Sequence, residues 1–146
     1  MNKKILIASD HAGFDLKQKL IEQMPKIIFE DLGTNSKENV DYTDYANELA
    51  NRISKEKGDI GVLICGTGVG MSIAANKFNN IRAGLAFNSD IARLVKEHND
   101  ANILVLPGRY LDIQEAKKCV DNFLSSSFKG GRHKRRLKKI IKEVSM

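Results

Sequence analysis

The run Gly61-Val62-Leu63-Ile64-Cys65-Gly66-Thr67-Gly68-Val69-Gly70-Met71 decides the fold of this chain. Val62 to Ile64 is a short apolar run of the kind that forms a strand buried on both faces. Glycines follow at alternate positions, and Met71-Ser72-Ile73-Ala74-Ala75-Asn76 then reads as the first turns of a helix. A strand that passes through a glycine-rich turn into a helix aims backbone N–H groups, and the positive end of the helix dipole, at one point. That point suits an anion. Cys65 stands on its rim, in the electropositive setting where a thiol serves as base or nucleophile.

Outward from this run, strand and helix signals alternate, which predicts a parallel sheet covered on both faces. Strands are expected at Lys4–Ser9, Ile27–Asp31, Ile60–Cys65, Arg82–Ala86 and Ile103–Leu106. Helices are expected at Gly13–Gln23, Thr43–Lys57, Val69–Asn76, Ser89–Glu97 and Asp112–Ser125. Gly130-Gly131 punctuates before a last amphipathic helix, Arg132 to Val144, with Leu137, Ile140, Ile141 and Val144 on one stripe. Such a stripe needs a partner surface in the same domain or in a second subunit. The expected architecture is a three-layer α/β/α, Rossmann-like domain over residues 1–146, with a five-stranded parallel sheet and this C-terminal helix.

Charge is unevenly spread. The chain has 24 Lys/Arg against 18 Asp/Glu, a net of +6. Residues 129–146 hold eight of the basic residues and one acid, Glu143, so the preceding body is close to neutral. No run of about eighteen apolar residues occurs, so no membrane span is expected. The start lacks a signal-peptide pattern, and two cysteines make no disulfide framework, which points to a reduced cytoplasmic protein. Cys119 falls on the apolar stripe of its helix with Ile113, Ala116, Val120 and Phe123, and reads as core. The tail resembles a nucleic-acid-binding arm only in charge. Aromatic residues make up 6% of the chain and none follows Phe128, so stacking platforms are lacking.

Open parallel sheets bind ligands beyond the carboxyl ends of their strands. The first strand runs into Asp10-His11-Ala12-Gly13 and the third into Cys65-Gly66-Thr67-Gly68, so a 2-1-3 strand order would bring these together. The glycines are spaced G-x-G-x-G, not G-x-G-x-x-G, and no acidic residue ends the fourth strand, which argues against a dinucleotide. His98, in His98-Asn99-Asp100-Ala101-Asn102, precedes the fifth strand. Within one chain it should therefore lie at the opposite end of the sheet from Cys65.

Ser9-Asp10-His11-Ala12-Gly13-Phe14, Asp41-Tyr42-Thr43-Asp44-Tyr45-Ala46, Cys65 through Lys77, His98-Asn99-Asp100-Ala101-Asn102 and Gly130-Gly131-Arg132-His133 occur in the order found in one family. By these motifs the chain resembles the ribose/galactose isomerases, in their type B ribose-5-phosphate isomerase branch. The resemblance implies a sheet order 2-1-3-5-4 and interconversion of ribose 5-phosphate and ribulose 5-phosphate through an enediolate. It implies that Cys65 moves the proton between C1 and C2, with Thr67 beside it in the catalytic set. Gly66, Thr67, Gly68, Val69 and Gly70 would hold the enediolate oxygens, and Asp10, His11 and Asn99 would bind substrate. His98 would open the furanose ring, and Arg109, Arg132 and Arg136 would bind chiefly the phosphate. No metal and no cofactor are implied. The site would lie between the subunits of a homodimer, alone or paired into a dimer of dimers, which would bring His98 to Cys65. Thr43 departs from the family's Asp-Tyr-Pro pattern, but Thr also opens helices. Galactose 6-phosphate and allose 6-phosphate are the alternative substrates; galactose-type subunits lack the His-Asn-Asp and Gly-Gly-Arg-His motifs kept here.

Overall fold

A computed structural model describes residues 4–140. Five strands form one parallel sheet: β1 (Lys4–Ser9), β2 (Ile28–Asp31), β3 (Ile60–Cys65), β4 (Ala83–Leu85) and β5 (Ile103–Pro107). Their order is β2-β1-β3-β5-β4, as the resemblance implied. The helices are α1 (Phe14–Gln23), α2 (Tyr42–Lys55), α3 (Val69–Ala75), α4 (Ser89–Glu97), α5 (Ile113–Ser125) and α6 (Arg132–Lys138).

Every residue of β3 is buried, because it lies mid-sheet with helices on both faces. Alternation along the strands splits the core in two. Ile5, Ile7, Val62, Ile64, Leu104 and Leu106 pack with Leu16, Leu20, Val95, Ala116, Val120 and Phe123 of α1, α4 and α5. Leu6, Ala8, Leu63, Cys65, Ile103 and Val105 pack with Leu49, Ala50, Ile53, Met71 and Ala75 of α2 and α3. The result is the three-layer sandwich. Lys17 of α1 is fully buried, with Nζ 2.7 Å from Asp31 Oδ2 and 5.3 Å from the Phe14 ring. A charge is tolerated there because a carboxylate answers it. Asp31 Oδ1 also accepts the Gly33 N–H at 2.9 Å, which anchors the loop leaving β2.

Cys119 is fully buried, in line with its place on the stripe. The expected last helix is cut short. α6 ends at Lys138, where the Lys139 N–H bonds Arg136 O and the Ile140 N–H bonds Leu137 O in tightened turns. Five of its seven residues are cationic, and like charges three and four apart oppose a longer helix. Of the expected stripe, Leu137 is half-buried, Ile140 is exposed, and Ile141 and Val144 lie outside the described residues. Lys134, Arg135 and Lys138 face solvent.

Candidate active site

β1 and β3 are adjacent, with Ser9 opposite Ile64, so the segments that follow them meet. Asp10 is buried. Its N–H donates to Ile64 O at 3.2 Å, and its Oδ1 accepts the Gly13 N–H at 3.0 Å. Gly13 is required here: a Cβ would stand 2.5 Å from Ile64 O. His11 Nδ1 accepts the Val40 N–H at 3.2 Å, which leaves Nε2 as the ring's donor.

Cys65 ends β3 and is 4% exposed. The turn after β5 is tied to it: the Gly108 N–H donates to Cys65 O at 2.7 Å and the Arg109 N–H to Gly66 O at 3.0 Å. The Arg109 guanidinium lies across Gly66, where an added Cβ would sit 3.1 Å from Nη1. Gly68 caps α3 at φ +78, with Leu85 Cδ1 only 2.4 Å from where its Cβ would be. Thr67 Oγ1 accepts the Val69 N–H at 3.2 Å. The first intrahelical bond is from the Ser72 N–H to Gly68 O, so the N–H groups of Gly70 and Met71 precede it as orphan donors. Asp10, His11, Cys65, the turn 66–70 and Arg109 therefore converge at the carboxyl ends of β1, β3 and β5.

The remaining expected site residues do not join them within this chain. The β3–β5 register sets Cys65 beside Pro107 and Gly61 beside Ile103. The two ends of β5 are thus ~13 Å apart, and His98 lies beyond the far one. There His98 caps α4 and stacks on His133, ring centroids 4.2 Å apart and planes 11° apart. Asn99, Arg132 and Arg136 belong to the same end and are exposed. Lys129 ties the tail to α4: its N–H donates to Glu97 O at 3.0 Å, and its Nζ lies 3.1 Å from Glu97 Oε1. The hydrogen bond from Lys129, with Arg93 beside it, holds the Glu97 carboxyl below the usual range despite some burial.

Two contacts escaped the sequence reading. Tyr42 opens α2 and lays its ring over Gly70, where a Cβ would fall 2.5 Å from Cε1. The Asp41-Tyr42-Thr43 motif held this residue without indicating its target. His133, in the Gly130-Gly131-Arg132-His133 motif, is the other. Among the described residues, no three His, Cys, Asp or Glu side chains are grouped as a metal ion would need, and no helix is long and apolar enough to cross a membrane.

The profile of the ribose/galactose isomerase family matches residues 5–140. The chain is 43% identical over 142 residues to ribose-5-phosphate isomerase B of Escherichia coli, covering 94% of each protein. Among solved structures, a ribose 5-phosphate isomerase from Thermotoga maritima superposes with a TM-score of 0.91 at 52% identity, over 95% of this chain and 97% of that one. Ribose-5-phosphate isomerase B from Mycoplasma genitalium, solved with bound ribulose-5-phosphate, gives 0.89 at 42% identity, over 95% and 94%. With its sheet order, its cysteine-headed glycine turn and this match along nearly all its length, the chain belongs to the ribose/galactose isomerase family.

Proposed function

We propose that this protein is a metal-independent ribose-5-phosphate isomerase, acting as one domain and drawing each site from two copies of the chain. The observation that carries the chemistry is Cys65 at the end of β3, directly before a turn whose Gly70 and Met71 N–H groups are left over by α3. In the open aldose, Cys65 Sγ takes the proton from C2. The C–H electron pair forms the C1–C2 double bond, and negative charge moves onto O1. Backbone donors aimed at that oxygen stabilise the enediolate, one donor being worth ~3–4 kcal/mol. The proton then returns to C1 while a proton passes from O2 to O1, giving the ketose. Thr67 Oγ1 both accepts and donates, and it carries that second proton.

Ring opening comes first, and His98 performs it. The C1–O4 bond breaks with its pair going to O4, which takes a proton from His98. The O1 hydroxyl gives its proton to water as the carbonyl forms. His98 reaches the Cys65 site from the second copy, bringing Asn99, Arg132 and Arg136 with it. Arg109 and His11 complete the polar set, and the arginines grip the phosphate. Tyr42, Val69, Ile73, Phe87, Ile91 and Tyr110 expose apolar surface, Tyr110 to 72%. Val69, Phe87 and Tyr110 follow the carboxyl ends of β3, β4 and β5, beside the cysteine turn. Apolar side chains around a polar mouth suit a second copy of the chain. The M. genitalium relative, crystallised with ribulose-5-phosphate, supports the substrate assigned. Such an enzyme would act in pentose phosphate metabolism in the cytoplasm.

The test is ketose formation from ribose 5-phosphate, then from allose 6-phosphate, with a chelator present. Cys65→Ala should lose at least about a hundredfold in turnover, yet still bind 5-phosphoribonate, because the base and the phosphate clamp are separate groups. Normal turnover by Cys65→Ala would remove the thiol from the mechanism, and loss of wild-type activity with chelator would bring a metal in.

A further inference from the structure

His133 contributes nothing to the mechanism above, yet it is among the few buried polar side chains of the described residues, at 9% exposure. Its imidazole lies flat on that of His98, 4.2 Å between centroids. Backbone hydrogen bonds tie down both residues of the pair. The His98 N–H bonds Leu94 O at 2.8 Å, and the His133 N–H bonds Gly130 O at 3.1 Å. Gly130 and Gly131 turn the chain into α6 at φ +67 and +58, a conformation that favours glycine. The Lys129–Glu97 ties fix this turn against the end of α4.

A histidine ring rotates in a broad, two-fold well about its last torsion, so nothing intrinsic aims its nitrogens. An aromatic surface pressed against one face removes that freedom. We propose that His133 is a positioning residue for ring opening, holding the plane of the His98 imidazole so that its nitrogen meets the furanose oxygen. The proposal rests on His98 being the ring-opening group. Burial first, then the charges of His98, Arg132, Arg136 and Lys129, hold His133 below the ordinary histidine range. That favours the neutral form of the supporting ring. The Gly-Gly-Arg-His motif thus has two duties: Arg132 for the phosphate and His133 for the plane of His98.

Two reactions of the intact enzyme separate this role from others. Ribose 5-phosphate is mostly a closed furanose and needs opening. Ribulose 5-phosphate cannot close a furanose, since its O5 is phosphorylated, and its C1 hydrogen exchanges with D2O through the enediolate alone. His133→Ala should lower kcat on ribose 5-phosphate about tenfold, as small misalignments of a reacting group do, with KM little changed. Exchange into ribulose 5-phosphate should stay within about twofold, which also shows that the variant is folded. His133→Phe, which keeps a flat ring, should restore most of the forward rate. Equal losses in both reactions, no loss in either, or no rescue by phenylalanine would each overturn the proposal. A wild-type enzyme that catalyses neither reaction would instead overturn the isomerase reading, and this proposal with it.

Discussion

The two cysteines show how one side chain acquires opposite characters. Cys119 lies on α5's apolar face in the core, and burial, aided by the Glu115 charge, pushes its thiol up to about 12. It should therefore be unreactive at neutral pH. Cys65 heads a turn with unpaired N–H groups and retains some exposure. Iodoacetamide should therefore modify Cys65 and abolish activity, ribose 5-phosphate should protect, and Cys119 should react only after denaturation. Peptide mass spectrometry would settle the order, and early labelling of Cys119 would contradict it. Glu30 gives a second test. Hydrogen bonds from Arg52 and then Lys4 lower its carboxyl from 4.5 to about 2. A lowered carboxyl stabilises the fold above its unfolded value and loses that effect as pH falls through the folded one. Glu30→Gln should thus cost about 1 kcal/mol at pH 7, the scale of a part-exposed pair. The gap to wild type should close between pH 4.5 and about 2 in melting curves; a constant gap would mean that the charge is not what matters.

Glycine turns divide into those that need only an unusual φ and those that also need empty space. Gly58 has φ +95 with nothing within 4 Å of a Cβ, whereas Gly68 has φ +78 and Leu85 Cδ1 at 2.4 Å. Gly58→Ala should cost about 1–2 kcal/mol, the backbone penalty alone. Gly68→Ala should cost more in chemical denaturation and should also lose isomerisation, since Leu85 must move or the cradle must. Equal costs would show that the turn yields freely. The elements themselves were legible because periodicity and glycine punctuation are local: β1, β3 and α4 lie where the pattern puts them. The end of α6 was not, because the apolar stripe argued for continuation while adjacent cations argued against it. The His98–His133 stack was illegible for a different reason. It joins residues far apart in the chain through a turn at Gly130-Gly131, and no periodicity encodes such a meeting. The convergence of Asp10 and Cys65 could be read in advance, because sheet topology alone produces it.

At the scale of the molecule, the proposed reactive groups are divided between the two ends of one sheet. Cys65 and its glycine turn, proposed as base and oxyanion cradle, sit where β3 ends, and His98, proposed to open the ring, stacks with His133 at the end where β5 begins. If each site is shared between copies, two dead variants can repair each other. Cys65→Ala mixed with His98→Asn under subunit exchange should regain roughly a quarter of wild-type activity, because half of randomly paired dimers are mixed and each keeps one whole site. No recovery, with exchange verified by mass spectrometry, would place the whole chemistry in one chain. The same division sets how lesions behave in a cell that makes both good and bad copies. A chain carrying Cys65→Ala and His98→Asn together spoils both sites of any dimer it enters. It should act as a dominant poison, lowering the output of each intact chain in proportion to its share of the pool, whereas a silent allele would only reduce the dose.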